Sequence, residues 1–359
     1  MTVGPGQGAV PSFHATNVAG VIAGNGTQSQ AQGGNLLQWT GIAPQAQIIS
    51  WDAFDSAAEM VTSLTLFDTT LTNHSFGPFI LSEVTCGLAG SYDDLNAAYD
   101  DVVRSSGITA FVSAGNNGEQ VGLLDCPIEV WDDGLLASLA PEVVDAGFGS
   151  VTALGVSKNA ITVGGRRKSL PPGPAAYSGR GPTSDGRLKP DVVAVSGDEE
   201  SLITMPSTPQ IYDSDLGVSF AVPQATGAAA LLLEHYRQGD PTLVQDPAVF
   251  KAVLANTATD VGVPGPDYTS GYGLVRIPEA LSAADSYAIL TLDHGDVEML
   301  TLNVDVSDAC GLRVMAAWSD PPSMGPSSML LVNDIDLSVA SGAGEVLPWV
   351  LTPSNPLNP

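Results

Sequence analysis

The chain has few basic residues, few cysteines and no long apolar segment. Lys and Arg together number 12 against 39 Asp and Glu, so the formal net charge is -27. Such a surface repels nucleic-acid phosphates and anionic lipid headgroups, which excludes nucleic acids and membrane surfaces as expected partners. No stretch of about 20 residues is apolar enough for a transmembrane helix, and the N-terminal MTVGPGQGAVPSF lacks the apolar core of a secretion signal.

The low number of cysteines excludes a dense disulfide framework. Cys86, Cys126 and Cys310 allow at most one pair and leave one thiol over. A bridge between Cys86 and Cys126 and three unpaired thiols are two interpretations that the sequence leaves equally open.

The residues that are present indicate a globular α/β fold. Hydrophobic residues make up 44% of the chain, which supplies a sizeable core. An amphipathic helix is predicted over 93–106, a continuous apolar strand over 108–118, a second apolar segment over 151–165 and a buried helix over 220–236. This alternation is typical of a parallel sheet that helices cover on both faces.

The pattern changes near residue 286. From there, apolar and polar residues alternate with period two, which predicts antiparallel strands of a β-sandwich. A sandwich normally needs about seven strands, so the sequence supplies only part of one. We therefore predict two domains, one over 1–285 and a partial antiparallel β-sandwich over 286–359.

Ser219 lies near the start of the apolar segment LGVSFAVPQATGAAALLLEHY and has two interpretations. It is the N-cap of a buried helix, or it is a nucleophile held beside unpaired backbone N–H groups. A serine nucleophile needs a base. His235 lies some 24 Å away by helical rise and His294 lies in the β-rich part, which leaves His14 and His74 as candidates.

Three segments resemble the motifs of subtilisin-like serine proteases, in the order that this family has. They are HATNVAGVIAG at 14–24, SAGNNG at 113–118 and GVSFAVPQATG at 217–227. YSGRGPTSDGRLKPDVV and TSGYGLVRIPEAL are similar to two further family segments. With WSDPP and LVNDIDL near the C-terminus, the resemblance is closest to subtilases of the KP-43 type, which carry a C-terminal β-sandwich.

The resemblance implies a secreted endopeptidase that cleaves polypeptides through an acyl-enzyme and needs no cofactor for its chemistry. Ser219 would attack the scissile carbonyl, His14 would act as the base, and Asn116 would donate its amide to the oxyanion. The alternative for Asn116 is a turn residue within GNNG. The substrate would bind along Ser75, Phe76 and Gly77, and the wall of the P1 pocket would consist of Ser113, Ala114 and Gly115.

The sequence departs from the family in its acidic residues. The triad aspartate of a subtilase lies on a strand upstream of the histidine, but the thirteen residues before His14 contain no Asp or Glu, and Asp52 and Asp55 follow much later. Loss of that carboxylate lowers turnover by roughly four orders of magnitude, an effect known from subtilisin itself. We therefore expect this chain alone to be weakly active.

Three hypotheses follow from this departure. The chain is a fragment of a longer protease, an N-terminal fragment from another chain supplies the aspartate, or the protein is a non-catalytic scaffold that binds peptides. Four further departures favour the scaffold, and they lie at Ala15, Asn17, Val218 and Gln224.

Structural calcium is a further expectation from the family, in which calcium often braces surface loops. Carboxylates suited to it occur at Asp132 and Asp133, over 198–200, and at Asp334 and Asp336. Solvated acidic turns are the favoured interpretation of these segments, and no metal ligands are assigned.

Overall fold

A parallel sheet of four strands forms the centre of the protein. The structure is a computed structural model that describes residues 2–5, 7, 12–52, 56–208, 210–240, 242–243, 245–303, 312–324, 329–342 and 344–358. In this sheet β3 (Leu71–His74), β4 (Thr109–Ser113), β7 (Ile161–Arg166) and β8 (Val192–Val195) lie side by side in that order. All three strand pairs are parallel.

The remaining strands form two-stranded sheets. β1 (Thr2–Val3) pairs in parallel with β2 (Ile49–Ser50), and three antiparallel pairs are formed by β5 (Glu129–Asp132) with β6 (Leu135–Ser138), β9 (Ile203–Pro206) with β10 (Tyr212–Asp215), and β11 (Val339–Ser341) with β12 (Gly344–Val346). The α-helices are α1 (Phe13–Ala23), α2 (Ser56–Phe67), α3 (Asp94–Ser106), α4 (Gln120–Leu123), α5 (Pro141–Asp145), α6 (Val222–Tyr236), α7 (Pro247–Asn256) and α8 (Ile277–Ser282).

Helices cover both faces of the central sheet, because alternate residues of β4 point to opposite sides. Phe111 is buried in one apolar cluster with α6 and α7. Its neighbours Ala110 and Val112 are buried in another cluster, which contains Met60 of α2 and Tyr99 of α3. The predicted α/β class with a helix-covered parallel sheet is confirmed, and antiparallel strands follow near the C-terminus.

Capping residues at both ends set the bounds of α3, which agree with the helix that the sequence predicts over 93–106. The Asp93 carboxylate accepts from Asn96 N–H, and the Asn96 side chain accepts from Asp93 N–H, which closes a reciprocal cap. Gly107 ends the helix in a left-handed conformation, with φ of 74°.

The C-terminal segment has less regular structure than its alternating pattern predicts. β11 and β12 form one antiparallel hairpin, whereas the described residues of 286–324 contain no strand. The period-two pattern distinguishes the two faces of an extended segment, but a strand also needs a hydrogen-bonded neighbour, and the pattern cannot supply one.

A buried ion pair attaches this C-terminal segment to the sheet domain. Lys158 Nζ lies 2.7 Å from Asp320 Oδ2, and the two side chains are 3% and 2% exposed. The ammonium also donates to Ser323 Oγ and to Leu330 O, both at 2.8 Å. Asn159 adds a reciprocal pair, because it donates to Asp320 O and accepts from Asp320 N–H. The segment is therefore anchored by charge as well as by packing.

A disulfide joins Cys86 to Cys126, with their Cα atoms 5.5 Å apart. Of the two interpretations that the sequence leaves open, the bridge between Cys86 and Cys126 is confirmed. Cys310 lies outside the described part of the chain. Both cysteines are buried in a cluster that also contains Ile80 and Val121. The bridge therefore ties the loop after β3 to the segment after α4.

We expect Asp320→Asn to lower the free energy of unfolding by about 3–5 kcal/mol, because it leaves the buried Lys158 ammonium without its carboxylate. Urea denaturation followed by circular dichroism measures this. Asp334→Asn is the matched control in the same segment, since Asp334 is exposed, and its effect should stay within about 0.5 kcal/mol. Equal effects of the two substitutions would contradict a stabilising role of the ion pair.

Candidate active site

Ser219 lies in a short turn that connects β10 to α6. The turn is a single 3₁₀ turn, Val218–Phe220, preceded by Gly217 with φ of 145°, a conformation that favours glycine. The N-cap of α6 is Ala221, so the interpretation of Ser219 as a helix cap is wrong. The half-buried Ser219 hydroxyl instead donates to Ser75 O at 3.2 Å. It therefore faces the segment that follows β3.

Asn116 follows β4 and contacts the same turn. Its Oδ1 accepts from Val218 N–H at 2.9 Å, which fixes the orientation of the carboxamide. Its Nδ2 donates to no acceptor among the residues that the structure describes, and a methyl group added to Gly217 would lie 3.6 Å from it. A fixed amide group therefore lies beside Gly217, two residues before Ser219, and its nitrogen donates to none of the described residues.

His14 lies in the first turn of α1, and Ser12 caps that helix by accepting from Ala15 N–H at 3.3 Å. The imidazole is exposed, with its centroid 6.0 Å from that of the Phe220 ring. No hydrogen bond joins the His14 ring to another described residue. Partial removal of water around the ring lowers the pKa of His14, and the negative charge of Asp215 opposes this shift.

The other histidines are held by different contacts. His74 is buried between Tyr99 and Thr72, with Nδ1 3.1 Å from Tyr99 Oη and Nε2 3.0 Å from Thr72 Oγ1. Burial lowers the pKa of His74 to about 4, so it is neutral and enclosed at pH 7. His235 Nε2 lies 3.1 Å from Asp285 Oδ2, and His294 is exposed in the segment that begins at residue 286. Of the two candidates from sequence, His14 is the histidine that neighbours the Ser219 turn.

The predicted substrate-binding residues lie in segments that approach one another. A methyl group added to Gly77 would lie 3.9 Å from Cβ of Ala153, and one added to Gly155 would come within 2.8 Å of Ser113 O. Residues 75–77, residues 113–115 and residues 152–155 are therefore neighbours. Ser113 and Ala114 are buried, whereas Phe76 is exposed.

Two neighbours of these segments were not singled out from the sequence. Thr152 and Ala153 belong to a segment that was assigned only to the sheet, yet a 3₁₀ turn, Ala153–Val156, precedes β7. Asn117, the neighbour of Asn116, was not singled out either, although it accepts from Ile80 N–H and donates to Thr152 Oγ1. The small residues of TALG and the doubled asparagine are the signals that could have indicated both.

Three of the four departures from the family motifs have defined contacts. Asn17 is buried, and in the orientation that satisfies its amide it donates to Pro206 O and Phe13 O. The Val218 side chain is fully buried. Gln224 donates to Phe220 O at 2.7 Å. Val218 and Phe220, the residue to which Gln224 donates, belong to the turn that carries Ser219, whose hydroxyl donates to Ser75 O.

Two of the acidic residues considered as calcium ligands accept hydrogen bonds from the protein itself. Within the described ranges, no group of three or more His, Cys, Asp or Glu side chains is arranged to hold a metal ion. Asp132 accepts from the Ser354 hydroxyl, and Asp198 accepts from the backbone N–H groups of Lys168 and Ser169. Nor does any described helix combine the length and apolar character needed to cross a bilayer.

Comparison with known proteins identifies a family that this chain matches. The peptidase S8 model of the subtilase family matches residues 11–273. Pyrolysin from Pyrococcus furiosus is 25% identical over 332 residues, which cover 78% of this chain and 22% of pyrolysin. Fervidolysin from Fervidobacterium pennivorans is 27% identical over 285 residues, which cover 75% of this chain and 34% of fervidolysin.

A further relative is similar over a shorter stretch. An extracellular serine protease from Serratia marcescens is 37% identical over 71 residues, which cover 20% of this chain and 6% of that protein. The chain thus spans about a third or less of the length of these curated relatives.

Solved structures agree on the fold. A mutant of the protease domain of PatA has a TM-score of 0.54 at 19% identity, covering 79% of this chain and 87% of that one. The prenylagaramide maturation protease PagA has a TM-score of 0.53 at 19% identity, covering 78% and 85%. The further likeness of residues 286–359 to the KP-43 type stays a prediction. Since the family model matches most of the chain and the fold agrees with it, this chain belongs to the subtilase family.

Proposed function

We propose that this chain carries the reactive centre of a serine endopeptidase, which hydrolyses peptide bonds through an acyl-enzyme on Ser219. One observation carries the proposal. The Asn116 Oδ1 accepts from Val218 N–H, its Nδ2 donates to none of the described residues, and Val218 directly precedes the half-buried Ser219. An amide donor held at the turn that carries a serine nucleophile suits a developing oxyanion.

The reaction uses three side chains. Ser219 Oγ attacks the scissile carbonyl carbon while His14 takes the hydroxyl proton, and the carbonyl oxygen becomes an oxyanion that accepts from Asn116 Nδ2. The C–N bond then breaks, and His14 gives its proton to the leaving amine. Water hydrolyses the acyl ester by the same steps and regenerates Ser219. The chemistry needs no cofactor, because nucleophile, base and oxyanion donor are all side chains.

In this mechanism the substrate binds along the segments that the family resemblance indicates. A polypeptide in extended conformation would pair with Ser75, Phe76 and Gly77, and its P1 side chain would lie against residues 113–115. Ser219 now donates to Ser75 O, and His14 is without a hydrogen-bonded partner in the described chain. Catalytic hydrogen bonds often tighten only when substrate is bound, so the free geometry is compatible with this mechanism.

We propose that full turnover requires a carboxylate that orients the His14 imidazole and is supplied by a further polypeptide segment. In the described residues no carboxylate is hydrogen-bonded to His14, and Asp215 acts on it only through its charge. Without that partner, turnover should be lower by roughly four orders of magnitude, as known for subtilisin. A non-catalytic peptide-binding scaffold is the outcome if peptides bind and Ser219 stays unreactive.

We also propose that the protein works outside the cell. The Cys86–Cys126 disulfide is typical of an oxidising compartment, and one relative is named an extracellular serine protease. Family-type structural calcium stays a proposal without assigned ligands.

A fluorophosphonate should modify Ser219 covalently, because phosphonylation uses the same nucleophile and oxyanion donor as acyl transfer. Peptide mass spectrometry should find the label on Ser219 in the unchanged chain and no label in Ser219→Ala. Ser214→Ala is the matched control, since Ser214 lies on β10 and bonds to Thr204, and it should retain labelling of Ser219. A folded chain in which Ser219 stays unlabelled after prolonged exposure would refute the proposed function.

Asn116→Ala should slow labelling of Ser219 and peptide cleavage by roughly 10²–10³-fold, the size of effect known for the oxyanion donor in subtilisin itself. The comparison of rate constants at saturating substrate measures it. If Asn116 were only a turn residue, the substitution would alter stability and leave the rate constant of the folded protein near that of the unchanged chain.

Asp215→Asn should move the acidic limb of the pH profile to lower pH. The charge of Asp215 raises the pKa of His14, so removing that charge lowers this pKa, and the base becomes neutral at lower pH. The pH dependence of the labelling rate tests this, as does NMR titration of the imidazole in Ser219→Ala. Asp213→Asn, on the exposed part of the same strand, is the control. A shift towards higher pH would contradict the assignment.

A further inference from the structure

The β9–β10 hairpin packs against the helix that carries His14. Met205 of β9 is buried in one apolar cluster with Val18 of α1 and with Phe220, and Ile203 of β9 packs against the same cluster. Val18 lies four residues after His14, so the two side chains are on one face of α1. The Phe220 ring also lies 6.0 Å from the His14 ring, measured between centroids. The hairpin is therefore a direct neighbour of the helix face that carries the proposed base.

Asp215 lies on the face of this hairpin that contacts α1. It is directly opposite Ile203 in the antiparallel pair, and directly opposite residues project from the same face of a sheet. Burial lowers the pKa of His14 and the negative charge of Asp215 opposes that shift, so the carboxylate acts on the imidazole. Asp215 is also the last residue of β10 and lies four positions before Ser219. One carboxylate is therefore placed beside the base and close to the nucleophile.

The Asp215 carboxylate is exposed and forms no ion pair with a described residue. Its Oδ1 accepts from the backbone N–H of Leu216 at 2.8 Å. Lys168 lies near this end of the hairpin, but its Nζ donates to Leu202 O at 2.7 Å. The negative charge of Asp215 can therefore attract a cation from outside the protein.

The chemistry of peptide-bond cleavage identifies the part of a substrate that comes close to this charge. When the C–N bond breaks, the His14 imidazolium gives its proton to the leaving nitrogen, so these two nitrogens must be about 2.6–3.2 Å apart at that step. The side chain of the leaving residue is attached to the carbon next to that nitrogen. A charge beside His14 therefore lies close to the first residue after the scissile bond.

We propose that Asp215 is a specificity-determining residue that favours substrates with Lys or Arg directly after the scissile bond. This inference rests on the proposed function of Ser219 and His14. The attraction should be that of an exposed ion pair, which corresponds to a preference of roughly two- to fivefold. An acidic side chain in the same place should be disfavoured, because Asp213 and the turn over 198–200 add further negative charge.

The test measures how two amines of similar shape and different charge capture the acyl group. The p-nitrophenyl ester of N-acetylalanine acylates Ser219, and equal concentrations of argininamide and citrullinamide then compete for the acyl-enzyme. The amine nitrogen attacks the ester carbon and gives a proton to His14. The bond from that carbon to Ser219 Oγ then breaks, and Oγ takes the proton from His14. This sequence is the reverse of peptide cleavage.

The ratio of the two amide products, measured by mass spectrometry, gives the preference. Both products come from one acyl-enzyme in one mixture, so the ratio does not depend on the turnover rate of the chain. A change in the pKa of His14 affects both amines equally and cancels. Ser219→Ala supplies the uncatalysed background, which is subtracted.

In the unchanged chain the argininamide product should exceed the citrullinamide product by roughly two- to fivefold, and in Asp215→Asn the ratio should fall to about one. Asp215→Glu keeps the charge and should retain most of the preference. Asp213→Asn is the matched control, because it removes one carboxylate from the same exposed strand, and it should leave the ratio near that of the unchanged chain.

The outcomes separate the two proposals. If the ester leaves no acyl group on Ser219 in the unchanged chain, the proposed function is refuted and this inference with it. If the acyl-enzyme forms but accepts both amides equally or accepts neither, only the role of Asp215 is refuted. The same holds if Asp213→Asn lowers the ratio as far as Asp215→Asn, since the preference would then come from the net charge of the surface.

Discussion

One hydrogen bond holds the candidate site together, from Val218 N–H to Asn116 Oδ1. It joins two residues that are 102 positions apart in sequence, one after a central strand and the other before the longest buried helix. Because it uses the amide oxygen, the amide nitrogen, which donates to none of the described residues, is the donor that the proposed mechanism assigns to the oxyanion. This contact therefore sets both the position of the Asn116 carboxamide and the direction in which its nitrogen points.

The parallel sheet makes this contact geometrically available. β3 and β4 are neighbours and run in the same direction, so the residues after them leave the sheet at the same edge. Ser75 and Asn116 both lie at that edge, and the turn with Ser219 packs against it. Thr226 of α6 also donates to Asn73 Oδ1 at 3.0 Å, which ties the helix behind the serine to the end of β3. Rigid elements thus position each group.

The sequence predicts those parts of the fold that depend on local patterns. The reciprocal cap of Asp93 and Asn96 defines α3, and the continuous apolar run defines β4. Features that depend on distant partners could not be predicted in the same way. The turn at Ser219 is shaped by contacts with Ser75 and Asn116, and the disulfide of Cys86 depends on where its loop folds. The C-terminal strands depend on hydrogen-bonded neighbours, which a period-two pattern does not identify. Sequence motifs supplied His14, Ser219 and Asn116, whereas the bonds of Asn117 became visible only in three dimensions.

The burial of Lys158 has a consequence for the evolution of this chain. Its ammonium group is enclosed at the base of β7 and is neutralised by Asp320 from the C-terminal segment. An amine in that place is costly without the distant carboxylate, so the two positions must change together. Among relatives, proteins that have lost the segment around Trp318 should carry an apolar or small residue in place of the lysine, and the lysine itself should mark those in which that segment docks onto the protease fold.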